Sequence, residues 1–325
     1  MGISPTDRQD GGGPPGAWRS AAWAAAVLSA SVGLGLALTA ALLPALAAAP
    51  EPLRAWLFRK GAGKILSRVL MFTGLALLPV VLRGLRARWP DDLGWRRAGP
   101  DDPPPAAALG WGALAGLAML AALGGAAWAS GARGPDPAPP AGMAWTRLAA
   151  GAIVTAGVVS LLEETLLRGL LFRALARAWG WIGAALALSL FAATVHFIIP
   201  RFAPADALAR PWPGRTVWLA GTLTNGLRGE ATWALRMVNL ALMGLVFCGW
   251  VRRSGTIWPA VGAHAAFIWG VKLHAAATAP RTGGIGSALF GRRSDFTDAP
   301  ALAVVLALWA IRLWRRAPAR GTPPS

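Results

Sequence analysis

Residues 148–168 read LAAGAIVTAGVVSLLEETLLR, and this stretch decides which kind of protein the chain forms. Residues 148–162 carry no charge, and the run ends on two adjacent carboxylates, Glu163 and Glu164. A carboxylate in the middle of a membrane helix costs about 2.5–3.5 kcal/mol, so two ionised, lipid-facing ones would cost on the order of 5–7 kcal/mol. We therefore expect the glutamates to face the interior of a helix bundle and to have a function there.

The composition indicates a membrane protein around this stretch. The 325 residues are 55% hydrophobic and 14% charged, and the mean hydropathy is +0.48. Because about 20 apolar residues cross a bilayer, the apolar runs predict an all-α, polytopic membrane helix bundle with about eight transmembrane helices. The runs are Ser20–Pro50, 65–83, Pro103–Ala132, 145–172, Ala178–Pro200, 231–251, Ser254–Val271 and 297–314.

The net charge of +18 would indicate a nucleic-acid partner in a soluble chain. Here the basic residues lie mostly between apolar runs, so we expect a bilayer with anionic headgroups as the partner and no nucleic acid. Dense clusters occur at Arg83–Arg97 and at Arg252-Arg253. With eight helices, the positive-inside rule places these clusters and both chain termini in the cytoplasm.

Two of the three histidines, His196 and His264, lie inside uncharged runs. Trp179-Gly180 fits a tight turn, and Glu163 lies 16 residues before Trp179 while His196 lies 16 after Gly180. At about 1.5 Å per helical residue, both are about 24 Å from the turn, so we expect them at one depth on adjacent helices. The simpler alternative is that each histidine is an ordinary packing residue.

Arg168 follows Glu164 by four residues, which places both side chains on one helix face. Arg168 is therefore expected to neutralise and orient Glu164. Glu163 points about 100° away and is left freer to act as a base. The alternative is an ordinary ion pair at the helix end. Gly262, close in sequence to His264, permits close helix approach, so His264 can reach the bundle interior.

These residues resemble the CAAX prenyl endopeptidase and bacteriocin-processing family, the CPBP or Abi intramembrane proteases. Glu163-Glu164-x-x-x-Arg168 matches its first motif, His196 and His264 resemble its second and third motif histidines, and the stretch Trp250–Phe267 resembles the approach to the third. The resemblance covers residues 145–275. It implies an all-helical membrane protease that hydrolyses a peptide bond with activated water.

The resemblance also implies a role for each motif residue. Glu163 and His196 would activate water, Glu164 and Arg168 would support the site, and His264 would stabilise the oxyanion. The substrate would be a membrane-associated or lipidated protein or peptide. The protein would then be an integral membrane protein of a bacterial inner membrane.

Four regions follow along the chain. They are a disordered cytoplasmic N-terminus (1–17), N-terminal transmembrane helices (18–144), a CPBP-like catalytic core (145–275), and a last transmembrane helix with a basic tail (276–325). The first apolar run is much longer than the 7–15-residue core of a signal peptide, so we interpret it as a retained helix.

The chain departs from the family pattern at two positions. Ala192 stands where the second motif usually has Phe, and Phe191 lies one residue earlier. Ile268 stands where the third motif often has Asn, and an isoleucine cannot donate a hydrogen bond to an oxyanion. Loss of one such donor costs about 10²–10³ in rate. Asn239 is a candidate replacement donor, with helix packing as the alternative.

No cofactor is expected. The chain lacks His-Glu-x-x-His, so we favour a glutamate-activated water over zinc, although the family naming suggests a metalloendopeptidase. If a divalent metal such as zinc is present, Glu163, His196 and His264 are the expected ligands.

Two other functions remain open at this point. One is a catalytically weak or inactive membrane scaffold or immunity protein with the family bundle, which Ile268 would explain. The other is a transporter or proton relay, which the intramembrane glutamates and histidines alone would allow. The chain shows no inverted repeat in favour of transport.

Overall fold

The computed structural model describes residues 17–58, 62–84, 93–95, 103–197, 204–222, 232–281 and 283–315. The predicted disordered N-terminus up to residue 16 and the basic tail from residue 316 lie outside these ranges. So does most of the Arg83–Arg97 cluster.

The described residues form an all-α bundle, which confirms the predicted fold class. A π-helical segment, Thr165–Leu171, joins α5 to α6, and two short strands pair antiparallel. The elements are α1 (Ala17–Ala47), α2 (Glu51–Phe58), α3 (Ala62–Gly84), α4 (Pro105–Ala129), β1 (Arg133–Pro135), α5 (Met143–Glu164), α6 (Phe172–Phe197), α7 (Pro204–Leu208), α8 (Trp212–Thr222), α9 (Trp233–Ser254), α10 (Trp258–Ala277), β2 (Thr278–Pro280), α11 (Gly284–Phe290) and α12 (Pro300–Arg315).

Each of the eight predicted apolar runs contains a helix. Within the described residues, five helical stretches are long and apolar enough to cross a membrane. They are Ala25–Ala47, Pro105–Ala129, Met143–Arg177, Trp179–Phe197 and Trp233–Ser254. Helix α12 has 16 residues, fewer than the roughly 20 that a perpendicular span needs. The polytopic bundle is thus confirmed, and the count of eight spans stays a prediction.

The predicted turn at Trp179-Gly180 is present as a break within α6. Gly180 has φ 70° and ψ 169°, a backbone conformation that glycine adopts without steric cost. Helix α6 packs mainly on α9, and also on the π-helical segment and on α1. Gly244 of α9 permits this contact, because a Cβ there would lie 2.8 Å from the Ser189 hydroxyl.

Helices α4 and α10 pack closely against each other, and glycines permit the contact. A Cβ on Gly262 would collide with the carbonyl oxygen of Leu109, and a Cβ on Gly112 would collide with that of Pro259. Small residues let backbones approach in this way inside membranes. The predicted role of Gly262 is confirmed, and the contact sets the position of His264 on α10.

We expect Gly112→Leu to destabilise the protein and Gly110→Leu to have little effect. Gly112 lies against the α10 backbone, so a larger side chain forces the helices apart, and overpacking typically costs about 1–3 kcal/mol. Gly110 lies two residues earlier on α4 and has open space where its Cβ would be. Thermal unfolding in detergent measures both variants. Equal shifts of the unfolding midpoint would show that the close contact does not matter.

A second, smaller core joins α1 and α3 to α7 and α8. Pro44 lies inside α1 and has no N–H, so the carbonyl of Ala40 loses its normal helical donor. Arg215 of α8 replaces that donor, with Nη1 2.6 Å from the Ala40 oxygen, and its Nε donates to the Ala207 carbonyl at 3.0 Å. A buried arginine thus links α8 to the proline position of α1.

Candidate functional site

A buried ion pair lies at the end of α5. Arg168 Nη1 donates to Glu164 Oε1 at 3.0 Å, and both side chains are buried, with 4% and 0% exposure. The guanidinium also lies over the ring of Phe247, 5.3 Å from its centroid. The predicted pairing of Arg168 with Glu164 on one helix face is confirmed.

His264 joins the two adjacent glutamates. Its Nδ1 lies 2.8 Å from Glu164 Oε1, and its Nε2 lies 3.9 Å from Glu163 Oε2. Phe247 packs against the imidazole with ring centroids 5.5 Å apart. We call Glu163, Glu164, Arg168 and His264 the Glu–Arg–His cluster. The two glutamate side chains of α5 thus contact the histidine side chain of α10.

The two glutamates have different surroundings. Glu164 is fully buried, whereas the Glu163 side chain is 39% exposed. The difference follows from the turn of about 100° between neighbouring helical residues. Glu163 is therefore the carboxylate that a substrate or water molecule can reach, and Glu164 is the one that holds other side chains.

The π-helical segment begins directly after Glu164 and contains Arg168. Such segments are rare and often occur at functional sites. Gly169 lies inside it, and a Cβ there would collide with the carbonyl oxygen of Leu93. Sequence reasoning missed this feature, because Thr165–Leu171 has no residue pattern that distinguishes it from an α-helix.

Buried polar atoms without hydrogen-bond partners lie along the same helix. Among the described residues these include Glu164 Oε2, Arg168 Nε and Ser160 Oγ. Such an atom costs about 1–3 kcal/mol when it has no partner, so it is accounted for by an ordered water, a bound ion, strain or a functional role. Ser160 lies one helical turn before Glu164 and was not predicted as a site residue.

His196 lies outside the Glu–Arg–His cluster. Its side chain is exposed, and Nδ1 lies 2.8 Å from the carbonyl oxygen of Ala192 in the same helix. In the described part of the chain, no hydrogen bond or ion pair joins it to Glu163. Equal spacing from the turn at Gly180 sets the depth of a residue but not the face of the helix on which it lies. The catalytic role of His196 stays a prediction.

Asn239 has a structural role in the described residues. It is fully buried, and Nδ2 donates to the carbonyl oxygens of Thr297 and Ala299 at 2.8 and 3.0 Å. It thereby fixes the chain where α12 begins. The packing alternative for Asn239 therefore accounts for its contacts, and Ile268 has no substitute donor from this residue.

The described residues do not form a metal site. No three His, Cys, Asp or Glu side chains among them come together in a metal-binding arrangement. The conditional ligand set Glu163, His196 and His264 is not assembled among the described residues, because the contacts of His264 are with the two glutamates and that of His196 is with its own helix.

Comparison with known proteins finds a similarity to one family in this region. The model of the type II CAAX prenyl endopeptidase Rce1-like family matches residues 145–269, which include the whole cluster and His196. No curated protein and no solved structure was found to match the chain. The match supports a peptide hydrolase of the CAAX type in a membrane. The region that carries the Glu–Arg–His cluster is thus similar to the Rce1-like family, in agreement with its resemblance to CPBP proteases.

Proposed function

We propose that the protein is an intramembrane endopeptidase that hydrolyses a peptide bond of a membrane-associated or lipidated protein. Water activated by Glu163 is the nucleophile, and no metal takes part. The observation that carries this proposal is the position of His264 between the two glutamates.

The gap between Glu163 and His264 suits the reaction. Their nearest atoms are 3.9 Å apart, beyond a direct hydrogen bond. A water molecule or a substrate oxygen can contact both groups there. Glu163 then accepts the proton of the attacking water, as a general base within hydrogen-bond reach does, and returns it to the amide nitrogen as the C–N bond of the tetrahedral intermediate breaks.

The other two members of the cluster prepare His264 for the oxyanion. Glu164 accepts a hydrogen bond from Nδ1, which fixes the ring and directs Nε2 toward Glu163. An imidazolium carries an N–H on both ring nitrogens, so it can donate to Glu164 and to a second acceptor at the same time. Nε2–H can then donate to the oxyanion of the tetrahedral intermediate, while Arg168 holds Glu164 in place through their hydrogen bond.

The resemblance also gives His196 a share in activating water. Its exposed ring can reach the reaction centre only if substrate binding or a helix movement brings it there. Glu163 with His264 is therefore the minimal centre that this arrangement supplies.

We also propose a bacterial inner membrane with cytoplasmic termini and anionic headgroups as the location. One hydrogen bond indicates that two basic regions lie on the same side of the membrane. Arg173 Nη2 donates to the carbonyl of Gly255 at 2.6 Å. The connection that follows Arg173 and the Arg252-Arg253 pair thus lie at the same end of the bundle. The positive-inside rule assigns that end to the cytoplasm.

A membrane scaffold with weak or no activity is the second candidate. Ile268 lies one helical turn after His264 and supplies no donor, and Asn239 is already bound elsewhere. A missing oxyanion donor typically lowers the rate by about 10²–10³.

Cleavage of a lipidated peptide distinguishes the two candidates. The full chain is reconstituted in liposomes with a farnesylated Cys-aliphatic-aliphatic-X peptide, and the products are identified by mass spectrometry. We expect cleavage at an internal peptide bond, and slower cleavage of the same peptide without its farnesyl group. A peptide that binds but stays intact would support the scaffold and contradict the protease.

A further inference from the structure

A three-residue segment, Leu93–Trp95, lies between the two elements that carry the cluster. Trp95 Nε1 donates to Thr165 Oγ1 at 3.1 Å, and Thr165 is the first residue of the π-helical segment. On the other side, the carbonyl of Trp95 accepts from Trp258 Nε1 at 2.7 Å, and Trp258 is the first residue of α10. We call this segment the strut.

Further contacts fix the strut on both sides. The amide of Ile257 donates to the carbonyl of Gly94 at 3.0 Å. Leu93 is fully buried, and its carbonyl oxygen packs on Gly169, where any side chain would collide with it. Contacts with the strut thus fix the distance between the π-helical segment and the start of α10.

A π-helix needs such support. Its i→i+5 hydrogen bonds are rare, so contacts from outside the helix must favour it over α geometry. Conversion to α geometry would turn the side chains that follow Thr165, including Arg168, relative to Glu164. The Glu164–His264 contact depends on the same arrangement.

The hydrogen bond of Thr165 differs from those of other helical threonines. Thr155 and Thr194 donate to carbonyl oxygens four residues earlier in their own helices. Thr165 is buried, and its hydroxyl accepts a hydrogen bond from a residue 70 positions away. Its hydroxyl therefore serves a contact between segments.

We propose that Trp95 and Thr165 are positioning residues of the protease site. Their hydrogen bond holds the end of α5 at a fixed distance from the start of α10, which keeps Glu163 and Glu164 against His264 and Arg168 against Glu164. The inference rests on the proposed function. It assigns to Leu93–Trp95 a role that lies outside the family-matched region.

The test compares Thr165→Val with Thr165→Ser and Trp95→Phe. Thr165→Val keeps the shape but loses the acceptor, Thr165→Ser keeps the hydroxyl, and Trp95→Phe loses the donor. On the farnesylated peptide in liposomes, we expect Thr165→Val and Trp95→Phe to lower kcat about 10-fold with little change in KM, because small misplacements of catalytic groups are costly. Thr165→Ser should stay near wild type, and the double variant should match the worse single variant.

Thr155→Val is the matched control. Its hydroxyl bonds only within α5, so kcat should stay at the wild-type value. Wild-type kcat for Thr165→Val would overturn the inference. The inference would also be overturned if Thr165→Ser lost as much kcat as Thr165→Val and both variants had a lowered unfolding midpoint. That result would indicate a threonine with a structural role only.

A second measurement does not depend on cleavage. The chain has three histidines, so ¹⁵N-histidine labelling gives few ring signals, which the variant His264→Gln assigns. We expect Thr165→Val to shift the His264 signals while His274 stays in place. Unchanged His264 signals would overturn the inference even if the wild type cleaves nothing, whereas shifted signals with no cleavage would contradict only the proposed function.

Discussion

Replacement of Glu164 by alanine is expected to destabilise the bundle by about 3–5 kcal/mol. Arg168 would keep its charge at 4% exposure and lose the carboxylate that compensates it. His264 would lose the acceptor that fixes its ring. Denaturant unfolding in detergent should show a large fall in the midpoint, and cleavage should be lost.

Glu51→Ala is the matched control for this ion pair. Glu51 also pairs with an arginine on its own helix, Arg54, but their side chains are 67% and 50% exposed. Exposed pairs contribute about 0–1 kcal/mol, so the midpoint should hardly change. Similar shifts of the unfolding midpoint for Glu164→Ala and Glu51→Ala would contradict the claim that the Glu164–Arg168 pair is buried and the Glu51–Arg54 pair exposed.

The double variant Glu164→Leu with Arg168→Met separates stability from activity. Replacement of a buried ion pair by apolar residues of similar volume is often neutral or stabilising. The unfolding midpoint should therefore recover much of the loss caused by Glu164→Ala. Cleavage should not recover, because His264 still lacks its carboxylate partner.

The sequence predicted the contacts that depend on local geometry. Spacing of four residues placed Arg168 beside Glu164, and this pair is present. Gly180 supplied the turn, since its backbone conformation suits glycine. Gly262 allowed α10 to approach α4. In each case the reason lies within a few residues of the chain or in the size of one side chain.

Contacts between distant segments could not be predicted in this way. The π-helical segment contacts the strut, and the two hydrogen-bonded residues Trp95 and Thr165 lie 70 positions apart in the chain. Depth from the turn could not specify the face on which His196 lies. The hydrogen bond from Asn239 to the chain before α12 likewise depends on tertiary packing. Such features arise from how helices pack, and helix periodicity does not contain that information.

Replacement of Glu163 by glutamine is expected to lower kcat/KM by about 10²–10⁴, the usual contribution of a general base. The amide keeps the size of the side chain but cannot accept the proton of water. Glu163 is 39% exposed and its contact with His264 is long, so the unfolding midpoint should stay near that of the wild type. Loss of activity without loss of stability is the expected signature.

The most direct test is a double-mutant cycle of Glu163→Gln and His264→Gln on the farnesylated peptide. If both groups act on one water and one carbonyl, their effects are not additive, as for catalytic residues that work as a unit. The kcat/KM of the double variant should then lie within about threefold of that of the slower single variant, because the second substitution removes little that the first has not already removed. Wild-type rates for either single variant, or losses that multiply in the double variant, would contradict a shared Glu163–His264 reaction centre.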